Sequence, residues 1–345
     1  MRAGKLNSSP RTQCQAAVSS SHAEWFLLNA SPDLRMQIVG AAELDSRGHL
    51  RDLKAVSERG VRHSPIVGVV LTGGDLDQVL GLLHMREVEP IHIYATASIR
   101  RLLREQNIFF NMLTEQPWQS VWTELVPGER FALVASAEST SKLVYQAISL
   151  GGGLPAYVGE KQAADVRADE AVLVLSLESR GDGKRMAYLP AVPAVDDRLL
   201  SMLESCDLVL FDGTFWTDDE LVRVQGGGRS ARQMGHLPIS GPGGSLERLA
   251  ELSRPHKVFM HINNTNPILD KNSPQYREVR EAGWDVAEDG WEFTLRQTKP
   301  LAFWPQTNLR HGWRGLGPNA ITTNTPSTCG CMKGVSRPGS FRPGH

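Results

Sequence analysis

Short apolar runs, each closed by turn residues, alternate with segments of helical spacing over most of the chain, and this alternation restricts the fold more than any other feature. The runs at 24–28, 66–71, 91–94, 171–177, 207–211 and 257–261 are rich in leucine, β-branched and aromatic side chains. Their length and turn-rich borders predict strands. Segments 77–86, 97–105, 196–205, 245–252 and 274–282 carry helical spacing, and a last short strand is expected at 284–287. Strands feeding helices in this order predict an α/β core, with helices covering the outer faces of the sheets.

The chain of 345 residues is 41% hydrophobic and 22% charged, ordinary for a protein that buries a real core. A formal net charge of −1, without a basic stripe, argues against a nucleic-acid partner. No stretch approaches the roughly 20 apolar residues of a membrane helix, and residues 1–12 lack the apolar region of a secretory signal. Membrane insertion is therefore not expected. Of the four cysteines, Cys14, Cys206, Cys329 and Cys331, the last two fall in a low-complexity segment. A disulfide framework is not expected, and a reducing cytoplasm is the default location. Past Thr298 the sequence turns to Pro, Gly, Asn, Thr and Arg without periodicity. The expectation is one folded domain over 1–298 and a disordered tail over 299–345. Cys329-Gly330-Cys331 has no second ligand pair at zinc spacing nearby.

Four segments carry residues suited to chemistry. Val70-Leu71-Thr72-Gly73-Gly74-Asp75-Leu76-Asp77 runs from a strand through a glycine turn into a helix, delivering two carboxylates to a sheet rim, where sites of α/β folds collect. The plain alternative is that Asp75 caps the helix and Asp77 sits in its first turn. Leu210-Phe211-Asp212-Gly213-Thr214 ends a strand on an acid, which could equally start an ordinary Asp-Gly turn. Met234-Gly235-His236 places a histidine in a glycine-rich loop, and Phe259-Met260-His261 ends a strand on another. Each signal is weak alone. Together, Asp75, Asp77, Asp212, His236 and His261 suit a metal site of mixed imidazole and carboxylate ligands with open positions.

In this order the segments resemble the metallo-β-lactamase superfamily. More narrowly, Pro10-Arg11-Thr12-Gln13, Asn29-Ala30-Ser31-Pro32-Asp33-Leu34-Arg35, Phe211-Asp212-Gly213-Thr214, Met234-Gly235-His236 and His261-Ile262-Asn263-Asn264-Thr265-Asn266-Pro267-Ile268-Leu269 resemble signature segments of the PqqB family. The resemblance implies an αββα sandwich of two mixed sheets flanked by helices, with its site at one rim. The superfamily's first metal motif is His-x-His-x-Asp-His, and the matching positions here are Gly73, Asp75, Asp77 and Gln78. All three histidines are missing, whereas Asp77 is kept, and Asp212 and His261 match the later metal-ligand Asp and the final His. Asp77, Asp212, His236 and His261 are thus the implied metal and catalytic residues. Asp75, Asn29, Ser31, Asn263 and Asn264 are the implied substrate contacts.

The family further implies a role in biosynthesis of pyrroloquinoline quinone (PQQ): hydroxylation of the tyrosine ring in a Glu-Tyr unit cut from a precursor peptide. A single non-haem iron suits the mixed ligand set, with zinc the alternative. A two-zinc hydrolase of the same fold is disfavoured by the missing histidines, and a carrier that transports the quinone or its precursor is the non-enzymatic rival. Family members usually open with a strand, a glycine-rich loop and a Cys-x-Cys-x-x-Cys segment holding a structural zinc. Residues 1–5 align just after it, so that zinc site is expected to be absent. The oligomeric state is left open, a dimer being one expectation.

Overall fold

The computed structural model describes residues 7–9, 11–20, 24–41, 44, 65–85, 91–114, 119–136, 139–164, 166–295 and 323–326. Its core is two mixed sheets packed face to face. The first has the order β1 (Ala16–Val18), β2 (Trp25–Leu28), β3 (Ile66–Val70), β4 (Ile91–Ala95), β5 (Ser120–Glu124). The β1–β2 pair is antiparallel and the remaining pairs are parallel. The second sheet comprises β6 (Arg130–Ser136), β7 (Ser139–Ser149), β8 (Leu173–Ser179), β9 (Arg185–Leu189), β10 (Leu208–Asp212), β11 (His256–Met260) and β12 (Trp284–Val286), in sequential order across the sheet. Antiparallel pairing runs from β6 to β9 and parallel pairing from β9 to β12.

The two-residue period of a strand explains the layers. In β10, Leu208 and Leu210 face the space between the sheets, together with Val258, Met260, Phe26, Leu28, Val70 and Tyr145. Val209 and Phe211 point the other way, into a second apolar cluster with Phe259 of β11, with Leu199, Leu203 and Val279 of the outer helices, and with Leu249. A third cluster packs Trp25, Leu27, Val69 and Ile93 against Leu34, Val79, Leu82, Ile99 and Leu103. Because β10 buries side chains on both faces, its sequence is a continuous apolar run and not an alternating one. The expected αββα sandwich is the architecture observed.

Expected helices are shorter than their spacing suggests. At 77–86 the structure has α2 (Leu76–Val79), which follows α1 (Leu34–Gly40) in chain order, and then a 3-10 helix over Leu80–Met85; residue 86 lies outside the described residues. Ala30 causes the change. Its N–H takes the carbonyl of Gln78 at 2.6 Å and its carbonyl takes the N–H of Gly81 at 2.9 Å, so both groups leave the α-helical ladder. The backbones approach so closely that a Cβ on Gly81 would lie 2.2 Å from Ser31 O. The helix expected at 245–252 likewise spans only Ser245–Arg248. Of the segment after Thr298, Thr323–Pro326 is described: it forms β14, antiparallel to β13 (Glu292–Leu295), where no element was expected. The rest of the tail, Cys329 and Cys331 included, lies outside the described residues. Among the described residues no helix is long and apolar enough to cross a membrane.

Candidate metal centre

Asp212 ends β10, an interior strand of the second sheet, and its side chain is fully buried. A buried carboxylate needs donors, and every oxygen has them. Val192 N–H donates to Oδ2 at 3.0 Å, while Thr214 donates to Oδ1 through N–H at 3.0 Å and Oγ1 at 2.5 Å. His236 Nδ1 lies 2.7 Å from Oδ2. Thr214 is the hub of the cluster, because its Oγ1 is also 3.1 Å from His236 Nδ1 and 2.7 Å from His261 Nδ1. The two imidazoles stack with centroids 5.4 Å apart.

His261 lies one residue past β11, not within the strand, and adopts a left-handed φ of 54°. A non-glycine residue holds that conformation only where its surroundings enforce it. Here Gly213 N–H bonds Met260 O at 2.7 Å and Asn263 N–H bonds Thr214 O at 3.0 Å, so the loop is clamped on both sides of His261. The turn swings the ring towards the first sheet, where Nε2 lies 2.8 Å from Asp77 Oδ2. Asp77 occupies the first turn of α2, after β3, so the site joins the rims of both sheets.

Charge and burial oppose each other at each member. Burial pushes Asp212 up, but the charges and hydrogen bonds of His236 and His261 outweigh it and hold the carboxyl well below the usual range. Asp77 is also lowered, burial being overcome by the His261 hydrogen bond. Burial works against the charged form of His261, yet the carboxylates of Asp212, 3.7 Å from Nδ1, and of Asp77, bonded to Nε2, raise the imidazole well above its ordinary value. Asp75 goes the other way: burial, then the neighbouring Asp77 charge, raise it.

Ligand atoms of Asp212, His236 and His261 all lie within 4.8 Å of one another. That donor set, with Asp77 in contact, fits one ion of borderline or hard character. With His236 Nδ1 held by Asp212, its Nε2 keeps a free lone pair, the usual carboxylate–histidine arrangement behind a ligand. A second ion of superfamily type has no imidazoles to hold it at the first motif. Gln78 there is buried, with Oε1 3.4 Å from Thr72 Oγ1.

A cavity of about 330 Å³ opens on the centre, lined by Asp77, Thr214 and His261 and further by Arg11, Asn263 and Asn264. Asn263 and Asn264 thus belong to the wall beside the candidate centre. Asn29 and Ser31, expected as substrate contacts, are instead buried and bonded internally. Asn29, at φ 66°, accepts from Thr72 N–H and donates to Thr72 Oγ1, each at 2.8 Å, tying β2 to β3. Ser31 Oγ donates to Gln37 Oε1 at 2.7 Å, and its N–H donates to Gln15 Oε1 at 3.0 Å. Asp75 stands at the N-cap of α2 without a side-chain cap bond, so the capping alternative is not realised. Sequence reasoning missed Thr214 as the shared partner of Asp212 and both histidines, and Arg11 as part of the cavity wall, although both fall in quoted segments. The available signal for Thr214 was a hydroxyl two residues after a strand-end acid.

An αββα sandwich with a histidine–aspartate cluster at the joined rims is a metallo-β-lactamase-type domain, and the family model described as Beta-lactamase superfamily domain matches residues 24–262. Within that superfamily the chain belongs to the family of coenzyme PQQ synthesis protein B. It is 36% identical to that protein from Xanthomonas euvesicatoria, over 83% of this chain and 88% of the relative. Against the Gluconobacter oxydans protein it is 37% identical, over 83% and 87%. The crystal structure of Zn(2+)-bound PqqB from Methylobacterium extorquens superposes with a TM-score of 0.71 at 34% identity, covering 83% of this chain and 88% of that one.

Proposed function

We propose that this chain acts in PQQ synthesis as a metal-dependent oxygenase that hydroxylates the tyrosine ring of a Glu-Tyr unit derived from the precursor peptide. The observation that carries the reading is the convergence of Asp212, His236 and His261 beside a lined cavity. Two imidazoles and a carboxylate with open positions form the ligand type associated with non-haem iron. Iron would supply dioxygen chemistry there. In the balanced reaction a ring C–H becomes C–OH, the second oxygen atom leaves as water, and an external reductant such as ascorbate supplies two electrons. Asp212, Asp77 and Thr214 hold and orient the imidazoles, and the wall of Asn263 and Asn264 positions the substrate. The zinc in the Methylobacterium extorquens relative supports a divalent-ion site in the family. In this reading zinc is a redox-silent occupant.

The test is incubation of anaerobically iron-loaded protein with Glu-Tyr, dioxygen and ascorbate, read by mass spectrometry. Gain of one oxygen on the ring, absent in His261→Ala, is the expected result. Binding of iron without ring oxidation would overturn the reaction. Binding of PQQ or its precursor without metal would favour the carrier.

A further inference from the structure

Arg11 lines the metal-site cavity and has a guanidinium only partly used by the protein. Its side chain is 10% exposed. Nε donates to Ala287 O at 3.1 Å, which fixes the plane of the group. Nη2 is 3.5 Å from Glu288 Oε1, and Nη1 is buried with no hydrogen-bond partner among the described residues. A buried guanidinium nitrogen left unpartnered is costly, and the pair of Nη atoms is the edge that grips a carboxylate in bidentate fashion.

The neighbouring charges leave Arg11 available. Glu288 is held more closely by Lys271, at 2.5 Å, than by Arg11. Asp289, the other acid beside Arg11, has its carboxyl pushed up to about 8 by burial and so is mostly neutral at neutral pH. The segment carrying Arg11 is anchored, with Gln37 Nε2 donating to Thr12 Oγ1 at 2.9 Å and to Gln13 O at 2.8 Å, and Gln13 N–H donating to Asp33 at 2.7 Å. The rest of the cavity wall offers neutral amides, hydroxyls, the Cys14 thiol and apolar groups, beside the acid Asp77 and the His261 imidazole that Asp77 holds.

We infer that Arg11 is a specificity residue that binds a carboxylate of the substrate, so that this site takes amino-acid or dipeptide acids and rejects their amides. The inference rests on the proposed function for the identity of the aromatic acid but not for the anion grip itself.

The experiment measures binding of Glu-Tyr and of its C-terminal and side-chain amides to full-length, zinc-loaded protein by calorimetry, since zinc keeps the reaction silent. Wild type should prefer one acid over its amide by about tenfold to hundredfold, the range expected of a charge-assisted hydrogen bond. Arg11→Gln should abolish that preference while retaining full zinc content, and Arg11→Lys should restore part of it. Glu288→Gln, which frees Nη2, should tighten binding of the acid and leave the amide unchanged. Equal binding of acid and amides by wild type, a preference that survives in Arg11→Gln, or no change in Glu288→Gln would each overturn the inference. An Arg11-dependent preference in a protein that shows no ring oxidation when iron-loaded would leave the anchor standing and remove the proposed reaction.

Discussion

His261 Nε2 lies 2.8 Å from Asp77 Oδ2, although the two residues are 184 positions apart, and the contact joins the rim of one sheet to the rim of the other. Asp77→Asn keeps the size of the side chain and removes its charge. Metal affinity, measured by competition with a chromophoric chelator, should fall by about tenfold to hundredfold with the fold intact. His261→Ala should lose stoichiometric metal altogether. Undiminished metal in both variants would remove Asp77 and His261 from the site.

Thr214 Oγ1 touches Asp212, His236 and His261 at once. Thr214→Val preserves the shape and deletes the hydroxyl, leaving buried polar groups short of a partner. The expected cost is about 1–3 kcal/mol in a denaturant titration of metal-free protein. Thr214→Ser should recover most of it, together with metal affinity. Equal stability of the Val and Ser variants would show that the hydroxyl does not organise the centre.

Gly81 lies in a helical segment, where Ala is normally better than Gly by about 1 kcal/mol. Gly81→Ala should nevertheless destabilise, because its Cβ would meet Ser31 O at 2.2 Å and Ala30 O at 2.9 Å. Overpacking of this kind costs about 1–3 kcal/mol. A rise in melting temperature would mean that the two backbones are not in contact.

Asp289 has a carboxyl raised to about 8, chiefly by burial. A carboxyl raised on folding binds its proton more tightly in the folded chain than in the unfolded one. Its contribution therefore falls as pH rises from the unfolded value near 4 to about 8, and is constant outside that window. Asp289→Asn keeps an oxygen for the Thr12 N–H and removes the titration. Melting curves of wild type and variant should diverge progressively above pH 5, with the variant more stable at pH 8–9. Parallel curves would contradict the shift.

Several elements were legible because local pattern and tertiary role agreed. The apolar runs that became β3, β4, β8, β10 and β11 are buried, so hydrophobicity alone marks them. The β6–β7 hairpin was not anticipated. In β7, Leu143, Tyr145 and Ala147 face the core while Val144, Gln146 and Ile148 are only partly buried. A period-two signal interrupted by polar residues is weaker than a continuous run. The candidate metal residues Asp77, Asp212, His236 and His261 were legible by their strand-end and loop positions and by likeness to a family. Their convergence was not.

The sequence by itself determined the kinds of element, an α/β core with helices outside it and the delivery of acids and imidazoles to strand ends, while the αββα layering was implied by the family resemblance. These follow from local periodicity and from which faces must be buried. Tertiary structure decided which polar groups meet. It turned Asn29 inward as a tie between β2 and β3 and Ser31 inward onto Gln37 of α1, broke the helix after Val79 against Ala30, and made Thr214 the shared partner of Asp212 and both histidines. A hydroxyl or amide has the same local signature whether it faces a ligand or a neighbouring strand. Its role is set by donors and acceptors that lie far away along the chain and come within reach only when the sheets pack.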